Sequence, residues 1–365
     1  MSVVQELRYR DFLDIALGGT ILGTGGGGSY SSARSVADRV LRQKRVRLVS
    51  LDELPSGAAA VGSAAMGSPE AMQKRPLSTE TRSALTALEA CSGRKFGYIL
   101  PIETSGYNML ASMTTTLGRN LAVIDADGAG RSIPRLGQTL LHAHAVPFAP
   151  FALADDAGRS IAVASADFAL EERIALNTLE YFGWLAGLAC FPMTGTQVRD
   201  STVPGTISLA RKVGAAVREA STVGADILHT VLEVTGGKEL VRGKVTGIQT
   251  ETDGSYTFGT VRVRGVGRHG GTVVSVKSMN ENMIAFRDGQ LAAVAPDRIC
   301  YLRPDGRPVT NADVTLGESI EVFVIEAQRE WKTPAAIGLF SETLKAMGYN
   351  GSYVPSRVAR RDKKK

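Results

Sequence analysis

The sequence predicts an α/β plus β-rich protein, with an N-terminal three-layer α/β/α domain and a C-terminal domain that holds a β-barrel or sandwich and flanking helices. Three observations support this prediction. Residues 58–124 alternate between strand-like and helix-like apolar patterns, which is typical of a mainly parallel sheet covered by helices. From residue 228 the apolar period changes to two, and short strands are separated by glycine turns. The chain of 365 residues is long enough for about two domains.

The domain boundaries are predicted where these patterns change. Residues 1–165 form the α/β domain with a glycine-rich loop, and residues 166–356 form a helical stretch followed by the β-rich domain. Within the second range, residues 167–190 predict one long helix, whereas residues 231–234 predict a strand. Residues 357–365 form a short basic tail that we expect to be disordered.

Composition and charge narrow the class of protein. Most of the net charge of +6 lies in the basic tail, and no basic face interleaved with aromatic residues supports a nucleic-acid partner. The three cysteines form no C-x-x-C pair, so neither a disulfide framework nor a cysteine zinc site is indicated. No signal peptide and no apolar run of membrane-spanning length is found, so no membrane contact is expected. We expect a cytoplasmic homo-oligomer that takes a small-molecule substrate.

The glycine-rich loop is the first candidate for a binding element. It reads Gly23-Thr24-Gly25-Gly26-Gly27-Gly28 and runs into a helix-like segment. Such a loop presents free backbone N–H groups that suit a phosphate, a carboxylate or a developing oxyanion, so Gly25, Gly26, Gly27 and Gly28 are predicted to bind substrate or an anion. The alternative is a close crossing of two elements without a ligand.

The same glycines match the dinucleotide-binding fingerprint as Gly23-x-Gly25-x-x-Gly28. That fingerprint requires a strand before its first glycine. Residues 11–22 have apolar residues at helical spacing instead, which weakens the dinucleotide interpretation.

Polar side chains follow two predicted strands of the first domain. Glu103 and Asn108 follow the strand at residues 98–100, and Asp125 and Asp127 follow the strand at residues 121–124. Ligands of open α/β sheets bind beyond the carboxyl ends of the strands. Glu103, Asp125 and Asp127 are therefore candidate catalytic residues, and Asn108 is a candidate binding residue. The alternatives are an ordinary helix N-terminus for the first pair and an ordinary turn for the second.

Asp125 and Asp127 are also the candidate ligands of a divalent metal. Two carboxylates released into a glycine-containing loop can hold a hard cation, or act as a base and its orienting partner. Arg131 follows them and offers a planar fork for an anionic or amide group. The sequence leaves the presence of a metal open.

Two further polar groups are candidates. His142 and His144 would share one face of a strand but lie on opposite sides of a helix, and the residues before them are helix-like, so His142 alone is retained as a possible acid or base. Asn280 and Glu281 stand between apolar residues of the second domain. They fit either a rim that faces the first domain, where they would bind substrate, or a hairpin turn.

Five motifs stand in order along nearly the whole chain: Leu22-Gly23-Thr24-Gly25-Gly26-Gly27-Gly28, Asp125-x-Asp127-Gly128-x-Gly130-Arg131, Asn280-Glu281-Asn282, Pro296-Asp297, and Gly348-Tyr349 to Tyr353-Val354-Pro355. With these motifs, in this order, the chain resembles the bacterial S-methyl-thiohydantoin desulfurase-like family, whose members are often labelled hydantoinase-like or oxoprolinase-like. The resemblance implies the two-domain fold predicted above and an action on a small five-membered cyclic imide-like ring.

Together these observations favour an enzyme that hydrolyses or desulfurises a small cyclic amide or hydantoin-like compound. Asp125 or Asp127 would activate water, and Glu103 or a histidine would protonate the leaving group. The loop amides and Arg131 would hold the oxyanion. Two alternatives stay open, an NAD(P)-binding oxidoreductase and a non-catalytic anion-binding subunit of a hydantoin-handling complex.

Overall fold

The computed structural model of the chain describes residues 5–164, 167–253 and 256–356, so the basic tail and its predicted disorder lie outside the described residues. The helices are α1 (Tyr9–Leu22), α2 (Tyr30–Val36), α3 (Pro69–Lys74), α4 (Glu80–Ser92), α5 (Gly106–Thr114), α6 (Leu140–Ala143), α7 (Phe168–Thr178), α8 (Gly195–Asp200), α9 (Thr206–Val223), α10 (Ile227–Thr235), α11 (Pro334–Gly338) and α12 (Ser341–Ala346). The strands are β1 (Gln5–Leu7), β2 (Val46–Val49), β3 (Ala59–Gly67), β4 (Tyr98–Pro101), β5 (Ala122–Ile124), β6 (Ala126–Asp127), β7 (Phe151–Ala154), β8 (Ser160–Val163), β9 (Leu185–Thr194), β10 (Val203–Pro204), β11 (Lys238–Asp253), β12 (Tyr256–Gly265), β13 (Val273–Met279), β14 (Glu281–Arg287), β15 (Gln290–Val294), β16 (Arg298–Leu302) and β17 (Ser319–Ile325).

The first sheet has eight strands in the order β1-β2-β5-β4-β3-β9-β7-β8. The neighbours β2, β5, β4 and β3 are parallel, whereas the outer strands pair antiparallel. The sheet is buried on both faces. Along β3, Val61 and Ala65 pack with α1, α4 and α5, while Ala60 and Ala64 pack with Phe151 and neighbouring residues on the opposite face. This arrangement confirms the predicted three-layer α/β/α domain.

The second sheet has seven antiparallel strands in the order β15-β14-β13-β12-β11-β17-β16. It curls into a half-barrel that brings β14 back to β16, where Asn282 Nδ2 donates a 2.9 Å hydrogen bond to the carbonyl oxygen of Ile299. Val263, Val276 and Val322 fill the inside of this curl, because alternate residues of a strand face the same side. The predicted β-rich second domain with flanking helices is confirmed.

Two segments differ from the sequence prediction. The predicted helix at residues 167–190 ends at Thr178, and Leu185–Thr194 is the strand β9 of the first sheet. This strand is buried along both faces, and a continuous apolar run has no period that distinguishes a buried strand from a buried helix. The predicted strand at residues 231–234 lies inside α10, which Asp226 caps by accepting the N–H of His229.

Helix α1 delivers the chain into the glycine-rich loop. Gly18 and Gly19 let it approach α9 and the start of α5, because a Cβ at either position would overlap backbone atoms of Ala210 or Gly106. The helical lead-in predicted from the sequence is thus confirmed, and no strand directly precedes Gly23. Among the described residues, no helix combines the length and apolar character needed to cross a membrane.

Candidate active site

A cavity of about 440 Å³ lies between the first sheet and the concave half-barrel. One wall is the glycine-rich loop, a second is the carboxyl end of β3 with the loop after β4, and a third is formed by β11 and β12. The residues that line the cavity on these walls and between them include Gly25, Gly26, Gly27, Gly28, Ala64, Met66, Glu103, Asn108, Ile133, Glu172, Trp184, Ile248, Gln249, Thr257, Asn280, Glu281 and Asn311. The cavity therefore draws its side chains from both domains.

Close packing against the second domain explains the run of glycines. A Cβ at Gly26 would overlap the carboxyl group of Glu281, and a Cβ at Gly27 would overlap Ser105 and Ser132. Gly25 and Gly27 also have positive φ angles of 78° and 70°, which other residues rarely adopt. The loop is thus a close crossing of two elements and also one wall of the cavity, and the binding of a ligand by these glycines stays a prediction.

One amide of this loop has a partner within the protein. Gly26 N–H donates to the carbonyl oxygen of Gly23 over 3.0 Å. Helix α2, which follows the loop, has its first turn capped by Ser29. This bond removes support for an anion held by the amide of Gly26, while anion binding by Gly25, Gly27 and Gly28 stays a prediction.

Glu103 is the buried carboxyl group of the first domain in this cavity. It follows β4 and is 6% exposed. Its Oε1 accepts a 2.7 Å hydrogen bond from Asn108 Nδ2, and its Oε2 accepts a 2.9 Å hydrogen bond from the N–H of Ile133. Burial raises the pKa of Glu103 to about 7, against the opposing effect of these two hydrogen bonds.

Asn108 is held in one orientation by the backbone. Its Oδ1 accepts a 2.9 Å hydrogen bond from the N–H of Ala65 in β3, so its Nδ2 must face Glu103. Its own N–H is capped by Ser105 Oγ at the start of α5. The bond to β3 and the position on α5 together fix Asn108 Nδ2 as the donor to the Glu103 carboxyl group.

Glu281 is the second buried carboxyl group of the cavity. It opens β14 and is 5% exposed. Burial, together with the nearby charge of Glu103, raises its pKa to about 8 against the opposing effect of Arg131. Its Oε2 has no hydrogen-bond partner among the described residues. Two carboxyl groups with raised pKa values thus share one cavity.

Asn280 and Asn311 form the rim beside Glu281. Asn280 has a positive φ of 56°, and its Oδ1 accepts a 2.8 Å hydrogen bond from the N–H of Thr257. Asn311 Nδ2 donates a 2.8 Å hydrogen bond to the Asn280 carbonyl oxygen, and Asn311 N–H donates to the Gly25 carbonyl oxygen. Asn280 is the turn residue between β13 and β14 and also lines the cavity with Glu281, so the structure combines both placements, and substrate binding by this pair stays a prediction.

Asp125 and Asp127 do not line this cavity, which corrects the placement expected from the sequence. Asp125 caps α9, where its Oδ1 accepts a 2.9 Å hydrogen bond from the N–H of Ser208. Asp127 is fully buried and accepts hydrogen bonds from Thr104 Oγ1 and from the N–H of Ala129. The chain bends at Asp125 between β5 and β6, and the two carboxyl groups serve different parts of the fold.

The predicted metal site is not supported by this geometry. Because the two aspartates face different partners, they do not form a common set of ligands. Within residues 5–164, 167–253 and 256–356, no group of three or more His, Cys, Asp or Glu side chains is arranged to hold a metal ion.

Arg131 and His142 also lie outside the cavity wall. The fully buried guanidinium of Arg131 donates to the carbonyl oxygens of Ser132, Asp297 and Asn282, and burial lowers its pKa to about 10. It joins the two domains, so its donors are not free for an oxyanion. The ring of His142 packs against Phe168 with centroids 4.1 Å apart, and burial lowers its pKa.

The cavity wall is acidic, although the chain as a whole is basic. Glu103, Glu172 and Glu281 line it, whereas no Lys, Arg or His does so among the described residues. Glu172 from α7 and Asn311 were not predicted from the sequence. Both are far in sequence from the other site residues, and no local motif marks them.

Comparisons with known proteins agree with this architecture. The family model "S-Me-THD-like, N-terminal domain" matches residues 10–165, and "S-Me-THD-like, C-terminal domain" matches residues 166–356. A crystal structure of a protein from Chromobacterium violaceum is similar to the chain with a TM-score of 0.83 and 25% identity, over 96% of this chain and 99% of that one. No curated protein matches the sequence.

Proposed function

The chain belongs to the S-Me-THD-like family, and from that premise we propose that it is an enzyme that hydrolyses or desulfurises a small cyclic amide of the hydantoin type. The observation that carries the proposal is the pair of buried carboxyl groups, Glu103 and Glu281, in one cavity between the domains. Carboxyl groups with pKa values near neutral are suited to general acid–base catalysis.

The two groups take different roles because their surroundings differ. Glu103 accepts two N–H hydrogen bonds, which favour its carboxylate form, and its pKa is about 7. Glu281 has an unpaired oxygen and a pKa of about 8. Because the Glu103 carboxylate is stabilised by two N–H donors whereas Glu281 has an oxygen without a partner, we assign Glu103 as the base and Glu281 as the acid.

The proposed reaction begins when Glu103 takes a proton from water and the water oxygen forms a bond to the ring carbon. Glu281 donates its proton to the ring atom on which negative charge develops. The C–N bond of the amide, or the C–S bond of a methylthio substituent, then breaks. Glu103 passes its proton to the departing nitrogen or sulfur, and Glu281 recovers its own as the C=O or C=N bond re-forms, which leaves both residues as they began.

The dinucleotide alternative receives less support from the same site. A helix, α1, precedes Gly23 where the fingerprint requires a strand, and the cavity wall offers no cation for a pyrophosphate among the described residues. The anion-binding alternative also receives less support, because an anion in this cavity would lie beside Glu103, Glu172 and Glu281 with no cationic side chain among the described lining residues.

The test uses the purified full-length chain with hydantoin, S-methyl-thiohydantoin and 5-oxoproline, followed by chromatography and mass spectrometry. We expect turnover of at least one of these rings. Glu103→Gln should lower kcat by about 10²- to 10⁴-fold while the protein remains folded. Asp125→Asn is the matched control, since Asp125 lies outside the cavity and its cap of α9 can be kept by an amide oxygen.

Two results would overturn the assignment. One is an unchanged rate in both Glu103→Gln and Glu281→Gln. The other is a loss in Asp125→Asn as large as the loss in Glu103→Gln, which would return the catalytic role to the aspartate loop.

A further inference from the structure

Part of the cavity wall consists of apolar side chains that are only partly buried. Met66 from β3, Leu176 from α7 and Ile248 from β11 line the cavity and are half-buried. Trp184, in the turn before β9, also lines it and is 47% exposed. Apolar surface that faces a cavity is covered most favourably by an apolar group of a ligand. This wall therefore differs in chemistry from the wall that holds the acidic pair.

The backbone of Trp184 is strained and is held on both sides. Its φ of 62° is one that bulky residues rarely adopt. Its N–H donates a 2.8 Å hydrogen bond to the Leu179 carbonyl oxygen, and its carbonyl oxygen accepts a 3.0 Å hydrogen bond from the N–H of Ser68. Gly67 permits this approach, because a Cβ there would overlap the Trp184 carbonyl oxygen. Backbone strain that the surrounding structure maintains is concentrated at binding and catalytic sites.

Strand β3 connects Trp184 to the acidic pair. Asn108, which donates to Glu103, accepts the N–H of Ala65. Trp184 contacts the backbone of Gly67, which follows Ala65 by two residues in the same strand. Each strand residue adds about 3.3 Å, so these two points on β3 are about 7 Å apart. A small ring beside Glu103 can thus direct one bulky substituent towards Trp184.

The volume of the cavity also exceeds that of a bare ring. It is about 440 Å³. Cavities of about 300–1,000 Å³ hold ligands of drug size. Hydantoin, a single five-membered ring, is much smaller and would leave most of the apolar wall uncovered. Both the volume and the apolar wall indicate a ligand with a substituent.

We infer that Trp184 is a specificity-determining residue, and that its indole, together with Leu176 and Met66, forms a subsite for a bulky, uncharged, apolar or aromatic substituent of the ligand. This inference rests on the proposed function for the ring that carries the substituent. It adds that the preferred ligand is a ring with an apolar side group rather than the bare ring.

The experiment measures binding rather than turnover. Calorimetry on the purified full-length chain compares 5-benzylhydantoin with hydantoin. We expect the benzyl compound to bind at least tenfold more tightly, because its phenyl group covers the apolar wall. Trp184→Ala should weaken 5-benzylhydantoin binding by about tenfold and change hydantoin binding by less than about threefold, whereas Trp184→Phe should keep the preference. Tyr181→Ala is the matched control, because Tyr181 is a 79% exposed aromatic residue of the same segment outside the cavity wall.

Intrinsic fluorescence supplies a readout that a merely structural role of Trp184 would not change. The chain has two tryptophans, of which Trp331 is fully buried. 5-Benzylhydantoin should shift the emission of Trp184 to shorter wavelength and protect it from quenching by acrylamide, whereas hydantoin should have little effect. Leu176→Ala guards against a folding defect at Trp184, because alanine favours the helix, and it should weaken 5-benzylhydantoin binding by about fivefold.

The outcomes separate this inference from the proposed function. The inference is overturned, even if a ring is turned over, when 5-benzylhydantoin binds no more tightly than hydantoin or loses as much affinity in Tyr181→Ala as in Trp184→Ala. Preferential 5-benzylhydantoin binding that Trp184→Ala weakens, together with no turnover of any ring, would sustain the inference and overturn the proposed reaction. Self-association that Trp184→Ala abolishes, with ligand binding unchanged, would assign the exposed indole to an interface between copies and overturn the inference.

Discussion

Asn108 Nδ2 donates a 2.7 Å hydrogen bond to Glu103 Oε1, while Asn108 Oδ1 accepts the N–H of Ala65 in β3. A carboxyl group that follows one strand is thus connected through a single side chain to the backbone of the neighbouring strand. This connection fixes Glu103 at the edge of the sheet where the glycine-rich loop and Glu281 also arrive.

Asn108→Ala should move the acid limb of the kcat/KM profile to higher pH. The lost N–H stabilises the Glu103 carboxylate, so its removal raises a pKa that is already about 7. The free energy of unfolding should fall by about 1–3 kcal/mol, because the Ala65 N–H is left unpaired. The checks are a pH–rate profile and urea unfolding. Ser112→Ala is the control, as it removes a buried hydroxyl donor that the carbonyl oxygens of Ser63 and Asn108 share; an equal shift of its acid limb would contradict the prediction.

The stability of the protein should fall as pH rises from about 4.5 to about 8. Burial raises the folded-state pKa of Glu281 from 4.5 to about 8, so the folded state holds a proton that the unfolded state has released in this window. Glu281→Gln should flatten the decline by about 1 kcal/mol or more. Urea midpoints at several pH values measure it. Glu342→Gln, at an 88% exposed side chain, is the control and should keep the wild-type dependence of stability on pH. If stability declines as steeply with pH in Glu281→Gln as in the wild type, the interpretation is refuted.

Gly26→Ala should lower both stability and activity, whereas Gly57→Ala should change neither. A Cβ at Gly26 overlaps the Glu281 carboxyl, while a Cβ at Gly57 meets nothing within 4 Å. Neither glycine has a positive φ, so the comparison isolates packing from backbone strain. We expect a loss of about 1–3 kcal/mol for Gly26→Ala. Thermal unfolding and kcat/KM measure the two effects, and equal behaviour of the two variants would show that the loop is not closely packed in solution.

Arg131→Lys should destabilise the protein by about 2–4 kcal/mol. An ammonium group lacks the planar fork that reaches the Asp297 and Asn282 carbonyl oxygens together, so at least one buried acceptor loses its partner. Chemical denaturation measures the loss. Arg329→Lys, at a 90% exposed side chain, should be neutral, and a similarly neutral Arg131→Lys would contradict the role of Arg131 in joining the domains.

Much of the local structure could be predicted from the sequence because its causes are local. The helix before Gly23 and the alternation of strands and helices over residues 58–124 follow from apolar spacing. The predictions for β9 and α10 were wrong because these segments lack such signals. Strand β9 is apolar on both faces, and helix α10 is rich in β-branched residues.

The sequence by itself determined that the chain has a glycine-rich loop, and it made Glu103, Asn108, Asn280 and Glu281 candidate site residues, whose roles stay predictions. Only the tertiary structure decided which acidic side chains share the cavity, namely Glu103 and Glu281 and not Asp125 or Asp127. Asp125 and Asp127 have the more conspicuous motif, yet their hydrogen bonds serve a helix cap and a buried turn. Glu103 and Glu281 come together because the half-barrel packs on the loop. Contacts between segments that are far apart in sequence produce no local residue pattern, so the sequence could not predict this pair.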